Sequence, residues 1–303
     1  MNILVTGSNG FIGGHVCEYF INQGDYVIGL DLAESSKKKC NEYVCCNLST
    51  ADVDKITEKI KADKIDAVVH LAADMRGEPD TVDVVKNNCI GTQRIIEFCQ
   101  NNSVTSFVQM SSLPVIGTPK DIPVTEEHSI KPPTVYHVTK YVQELLADYA
   151  DYTKGLRTVS FRICSPIGIG VNPRTIFPIF VNKALNNEDI TLIGKGTRKQ
   201  TYIHVRDIAQ AIYKAVNSEA HGVYNLGSYN LISNYDLAQK CIEVTASKSN
   251  IVFIDREDPS DNVSWEISLE KIKNDMGYEP TVSIDEAIKE YADYLKKQGE
   301  FDG

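Results

Sequence analysis

The sequence predicts an α/β protein built on a doubly wound parallel sheet with helices on both faces. Three observations carry this. Short apolar runs alternate with stretches of helical period through the first half, a glycine-rich turn joins the first run to the first helix, and the chemically informative residues fall where the runs end.

The first run, Ile3-Leu4-Val5, leads into Thr6-Gly7-Ser8-Asn9-Gly10-Phe11-Ile12-Gly13, after which apolar residues recur at Val16, Tyr19 and Phe20 with helical period. Gly7, Gly10 and Gly13 allow a tight turn and let backbone N–H groups approach a pyrophosphate at a helix N-terminus, where the dipole favours anions. Asn9, Phe11 and Ile12 share this turn. Its spacing is G-x-x-G-x-x-G, not the G-x-G-x-x-G dehydrogenase fingerprint, and an ordinary tight loop also uses such glycines. The second run, Tyr26 to Leu30, ends at Asp31-Leu32. A carboxylate there, about twenty residues past the turn, can hold both ribose hydroxyls of an adenosine and repels a 2′-phosphate, which points to NAD. A solvated strand end is the alternative for Asp31. Lys37-Lys38-Lys39 could grip a 2′-phosphate and also reads as a solvated loop.

The alternation continues through strand Tyr43 to Cys45, helix Asp52 to Ala62, strand Ala67 to His70, helix Thr81 to Asn101, and strands Ser106 to Met110 and Thr158 to Ile163. Ligands of such sheets bind outside the carboxyl ends of the strands. Gly7, Asp31, Asn47, Leu71-Ala72-Ala73 and Ser111-Ser112 lie there. Between the last two strands, Tyr136-His137-Val138-Thr139-Lys140 puts a phenol and an ammonium four residues apart on one helix face. A fixed positive charge lowers a tyrosine pKa from about 10, which would make Tyr136 a base near neutral pH. An amphipathic helix with a surface lysine fits the same spacing.

Composition bounds the function. The 303 residues are 42% hydrophobic, enough for a sizeable core, and the net charge of -10 disfavours non-specific binding to nucleic acid or anionic membranes. The eight cysteines contain no C-x-x-C pair and the six histidines no metal-ligand spacing, so reduced thiols and no metal are expected. No basic leader with a cleavage site and no bilayer-length apolar run is seen, and a cytoplasmic protein is expected.

Taken together, Gly7-x-x-Gly10-x-x-Gly13, His70-Leu71-Ala72-Ala73, Asn88-Cys89-Ile90-Gly91-Thr92, Ser111-Ser112 before Val115-Ile116-Gly117, Tyr136-x-x-x-Lys140, Ile203-His204-Val205-Arg206-Asp207 and Val223-Tyr224-Asn225-Leu226-Gly227 resemble a known family over nearly the whole chain. It is the extended short-chain dehydrogenase/reductases, in the NAD-dependent nucleotide-sugar epimerase/dehydratase group. The resemblance implies a Rossmann-type NAD domain over 1–163, with 199–220 returning to it, and a smaller mixed α/β substrate lobe over 164–303. That lobe would hold helices Ile176 to Leu185, Tyr235 to Val244 and Ile284 to Leu295 and strand Ile190 to Ile193, with helix Ile208 to Val216 returning to the large domain.

By the same resemblance Tyr136 is the acid/base, Lys140 binds nicotinamide ribose and tunes the phenol, and Ser112 bonds the reacting oxygen. A strand-end serine bonding its own backbone is the alternative for Ser112. The implied NAD contacts are Gly7, Asn9, Gly10, Phe11, Ile12, Gly13, Asp31, Leu32, Asn47, Leu48, Leu71, Ala72, Ala73, Asn88, Ser111, Tyr136, Lys140 and Ile163. Asn47 and Asn88 equally read as turn or helix-facing residues that hold backbone groups. A homodimer through helices Val82 to Cys99 and Tyr136 to Tyr149 is implied as a four-helix bundle.

Three departures bear on the substrate. Ser165 stands where many members have asparagine, Gln200 where they have arginine, and Ile116 where they have tyrosine. The first two positions help hold a substrate diphosphate, so Arg198, Arg256 and Arg174 become the candidate guanidiniums, against the common case of surface arginines. Dehydratases of the family carry an Asp-Glu pair after the catalytic hydroxyl residue, where this chain has Leu113-Pro114. The expected function is therefore a nucleoside-diphosphate-sugar 4-epimerase. A 4-keto-sugar reductase or other dehydrogenase is the alternative, ahead of a 4,6-dehydratase or a non-catalytic NAD sensor.

Overall fold

The computed structural model describes residues 1–50, 53–75 and 80–299. In chain order its first half contains β1 (Asn2–Thr6), α1 (Phe11–Asn22), β2 (Tyr26–Asp31), β3 (Glu42–Cys45), β4 (Ala67–His70), α2 (Val82–Val85), α3 (Gly91–Asn101), β5 (Ser106–Met110), α4 (Val135–Lys154) and β6 (Arg157–Ile163). Then follow β7 (Ser165–Ile167), α5 (Ile176–Leu185), β8 (Ile190–Ile193), β9 (Lys199–His204), α6 (Val205–Val216), β10 (Gly222–Leu226), β11 (Asn230–Ser233), α7 (Asn234–Thr245), β12 (Ile251–Ile254), β13 (Ser264–Trp265), α8 (Glu270–Met276) and α9 (Ile284–Lys297).

Seven strands form one wholly parallel sheet in the order β10-β6-β5-β4-β1-β2-β3. Alternate side chains of each strand enter opposite layers. Ile3 and Val5 join Val16, Phe20, Ile208 and Ile212, from α1 and α6. Leu4 joins Ile28, Ile95, Phe98 and Phe107 on the other side. Burial on both faces is why these strands read as continuous apolar runs. The chain winds outward in both directions from β1, so β1 and β4 flank the crevice where such sheets take ligands.

A second sheet, β11-β9-β13 with β7 beside β9, and a two-stranded ribbon of β8 and β12 are covered by α5, α7 and α9. Phe177, Phe180, Leu237, Ile288 and Tyr291 fill the core beneath them. The chain crosses repeatedly between the two sheets: α6 packs on α1, and β10 completes the main sheet before β11 enters the second.

Two expected helices take other forms. In place of a helix from Asp52, which lies outside the described residues, a 3₁₀ helix runs over Val53–Lys59. Its buried residues Val53 and Ile56 are three apart, the repeat of a three-residue turn. The segment after Thr81 is helical, but Lys86–Ile90 within it is a π turn, and this rotates Asn88 into the interior. Among the described residues, no helix is long and apolar enough to cross a membrane.

Candidate active site

The glycine turn packs directly against the loop after β4. Gly7 has φ 70°, and a Cβ there would lie 2.8 Å from Ala72 N, while a Cβ on Gly13 would lie 2.1 Å from Gly7 O. Only glycine fits these contacts. Gly10 starts α1 with no side-chain cap, which leaves first-turn N–H groups available to an anion. Asp31 ends β2 with Oδ2 accepting from Asn9 N at 3.0 Å and Oδ1 from Leu32 N at 2.8 Å, so each oxygen keeps lone pairs for ribose hydroxyls. The Asn9 amide donates to Ser35 O and Tyr43 Oη and accepts from Lys37 N, folding the loop beside Asp31. An uncapped helix, a cradle with no room for Cβ atoms and a carboxylate at the next strand end together fit a dinucleotide.

Other expected cofactor residues have structural partners. Asn47 Oδ1 accepts from Ser49 N at 3.0 Å and Ser49 Oγ at 2.9 Å, holding a turn, with Leu48 buried behind it. Ala72 N donates to Thr6 Oγ1, which bonds His70 Nδ1, and His70 Nε2 bonds Thr92. Burial holds His70 neutral, its pKa lowered to about 3. Asn88 uses its whole amide, accepting from Asp74 N and donating to Asp74 O and Thr139 Oγ1, so it ties the loop after Ala73 to the turn of α4 that carries Tyr136. Ser111 Oγ donates to Glu144, and Ile163 is buried at the end of β6. Leu71 and Ala73 line the half-buried start of the loop after β4, whereas Leu32 is exposed.

Thr134 caps α4 by accepting from His137 N, which places Tyr136 in the first turn and Lys140 one turn on. Lys140 Nζ donates to Met110 O at 2.9 Å and lies 5.9 Å from the Tyr136 ring centroid. Burial lowers the lysine pKa to about 8, with Glu144 acting in the opposite direction. Tyr136 departs from expectation: burial raises its pKa to about 12. The ammonium is engaged at the Met110 carbonyl, so desolvation of the phenolate outweighs its attraction. Ser112 adopts extended backbone at the start of a single 3₁₀ turn, Leu113–Ile116. Among the described residues, neither Ser112 Oγ nor Tyr136 Oη has a hydrogen-bond partner.

On the second sheet, Ser165, Gln200 and Arg198 form one chain. With its amide oriented to satisfy both neighbours, Gln200 donates to Ser165 Oγ at 2.9 Å and accepts from Arg198 Nε and Nη2, both at 3.1 Å. Arg174 and Arg256 are exposed, without a side-chain hydrogen bond or ion pair among the described residues. Gly194 N donates to Arg256 O at 3.0 Å, which joins the loop of Arg256 to the loop leading into Arg198. Ile116 is buried in the main core. Two residues behind the site were not among those expected: Glu144, one helical turn beyond Lys140, and Arg162, a buried arginine near the end of β6.

The model of the NAD dependent epimerase/dehydratase family matches residues 3–227. A putative UDP-glucose 4-epimerase of Methanocaldococcus jannaschii is 27% identical, with 97% of this chain and 98% of that protein covered. A dTDP-glucose 4,6-dehydratase of Streptomyces niveus is 24% identical, with 98% and 93% covered. The crystal structure of UDP-glucose 4-epimerase from Thermotoga maritima with UDP-glucose superposes with a TM-score of 0.87 at 25% identity, covering 98% of this chain and 99% of that one. The chain belongs to the NAD-dependent epimerase/dehydratase family, within the short-chain dehydrogenase/reductase enzymes, and its cofactor is NAD.

Proposed function

We propose that the protein is a nucleoside-diphosphate-sugar 4-epimerase of the UDP-glucose 4-epimerase type. The observation that carries this is the set of two hydroxyls without a partner among the described residues, Ser112 Oγ and Tyr136 Oη, together with the buried Lys140 ammonium at the strand ends and followed by Leu113-Pro114. Eliminating water from a neighbouring carbon needs a further acid and base. A buried leucine and a proline supply neither, which favours epimerisation over dehydration.

When bound, oxidised NAD supplies a hydride acceptor and a positive ring charge. Gly7, Gly10 and Gly13 would admit its pyrophosphate and Asp31 its adenosine ribose. As the phenolate, Tyr136 would take the proton of the substrate's C4 hydroxyl as C4 is oxidised, and Ser112 would donate to the oxygen as it becomes a ketone. Burial favours the neutral phenol, which cannot act as a base, so Tyr136 must first release its own proton to solvent; the positive charge of bound NAD would lower the cost of that ionisation. Tyr136 would return the proton to the same oxygen when the keto sugar is reduced on its opposite face, so net redox is zero. Arg198, held by Gln200, would pair with a diphosphate, with Arg256 and Arg174 as further guanidiniums.

Denatured protein is expected to release NAD or NADH, and the native enzyme to interconvert UDP-galactose and UDP-glucose with no net change at the nicotinamide absorbance band. Stoichiometric NADH oxidation by a 4-keto-sugar nucleotide, without epimerisation, would replace this assignment with a reductase.

We also propose a homodimer. Val82, Val85, Ile90, Val138, Leu145, Tyr149 and Tyr152 are all exposed on the helical segment after Thr81 and on α4, an apolar face that two-fold pairing with a second copy would cover. Sedimentation as a monomer would refute it.

A further inference from the structure

Three consecutive residues at the end of β5 are each bonded to α4. Gln109 Nε2 donates to Gln143 O at 2.8 Å, Lys140 Nζ donates to Met110 O at 2.9 Å, and Ser111 Oγ donates to Glu144 Oε1 at 2.5 Å. All six residues are buried. Glu144 is itself immobilised: Arg162 Nε reaches Oε1 at 3.0 Å and Nη2 reaches Oε2 at 2.8 Å, while Arg162 Nη1 holds Glu126 O at 2.9 Å. The carboxylate thus sits between two buried cations, and its bond from Ser111 is charge-assisted. The next residue is Ser112. Its own side chain has no anchor among the described residues, so its position is inherited from Ser111.

We propose that Ser111 and Glu144 are positioning residues that clamp the end of β5 to α4 and thereby fix Ser112 against Tyr136. This rests on Tyr136 and Ser112 being the reacting pair. Helical spacing makes the device possible: Tyr136, Lys140 and Glu144 recur every four residues on one face, so the helix that carries the base also carries the two grips on the strand that carries its partner. Ser111 N donates to Phe161 O at 2.7 Å, so the main-chain register survives loss of the hydroxyl and only the grip on α4 is released. A buried ion pair serving stability alone would leave catalysis indifferent to Ser111.

Ser111→Ala is the decisive variant, because it keeps the Glu144–Arg162 pair, whereas replacing Glu144 strands a buried arginine. Faster amide exchange is expected over residues 112–116 with the exchange of α9 unchanged. With UDP-galactose, kcat per NAD-loaded site is expected to fall about tenfold, with KM within about twofold. Substrate deuterated at C4 is expected to show a larger isotope effect on kcat than in the unmodified enzyme, which a loss of active molecules would not produce. Unchanged exchange over 112–116, or an unchanged kcat, overturns the clamp. Tyr136→Phe in the same assay separates the two levels: if it keeps activity the catalytic assignment fails, and if it is inactive while Ser111→Ala is normal, the clamp alone fails.

Discussion

Helices α4 and α9 have opposite interiors. Helix α9 buries Ala287, Ile288, Tyr291, Ala292 and Leu295, starts with a capping box of Ser283 and Glu286, and ends in Lys296 and Lys297, favourable to its dipole. Helix α4 buries Thr139, Lys140, Gln143 and Glu144 in its first half, with Ala147 and Ala150 beyond them, and shows Val138, Leu145, Tyr149 and Tyr152 to the outside. Burying apolar surface stabilises at about 25 cal/mol per Å², whereas burying charge costs free energy that hydrogen bonds only partly offset. One helix is therefore built to hold its lobe together. The other gives up stability to fix polar groups at set positions.

The contrast breaks most visibly through paired substitutions. Tyr136→Phe is expected to lower kcat by about 10²–10⁴-fold, with the thermal midpoint and bound NAD unchanged. Ile288→Ala is expected to cost about 2–5 kcal/mol of stability while leaving kcat per folded molecule intact. Full activity in the first, or a large change in kcat in the second, would show that the helices are not divided in this way.

A pH test addresses the cost of the buried ammonium. The Lys140 pKa falls from 10.5 to about 8 on folding, so between those values the unfolded chain holds the extra proton and stability rises with pH. At about 1.4 kcal/mol per pK unit, the gain is up to roughly 3 kcal/mol. Tyr136 has the opposite sign: with its pKa raised from 10.0 to about 12, its contribution is present below the first value and lost as pH climbs through the second. Lys140→Met removes the lysine term. Its stability advantage over the native chain, measured by urea unfolding, should shrink from about pH 7 to about pH 10, and a constant difference would refute the assignment.

The same contrast explains what the sequence discloses. Strand runs and the glycine turn follow from local patterns, and β1, β2, β4 and β5 lie where periodicity puts them. Tyr136 and Lys140 are legible because a helix fixes their separation. The tyrosine pKa was not, since its direction is set by burial, and the Lys140 ammonium that could oppose it is engaged at Met110 O, thirty positions from the lysine. The π turn at Lys86–Ile90 has no compositional mark, yet it brings Asn88 inward. Strands β7, β11 and β13 are only two to four residues long and escape any periodicity. The Ser165–Gln200–Arg198 chain was legible only as two departures and a candidate arginine, and their joint hydrogen bonding requires the pairing of β7 with β9.

The outer face of α4 gives the smallest expected effect. Leu145 is half exposed and lies one residue from Glu144, so the two point to different sides of the helix. In the proposed dimer each copy contributes the same leucine, and Leu145→Glu would place two like charges in an apolar contact. Dimer affinity should weaken by about tenfold or more, seen as a concentration-dependent shift in sedimentation. Because Lys140 and Glu144 are held from the inner side by Met110, Ser111 and Arg162, kcat of the dissociated chain should remain within a fewfold. A collapse of kcat on dissociation would mean that the outer face also positions the catalytic residues, and α4 would then have no face devoted to assembly alone.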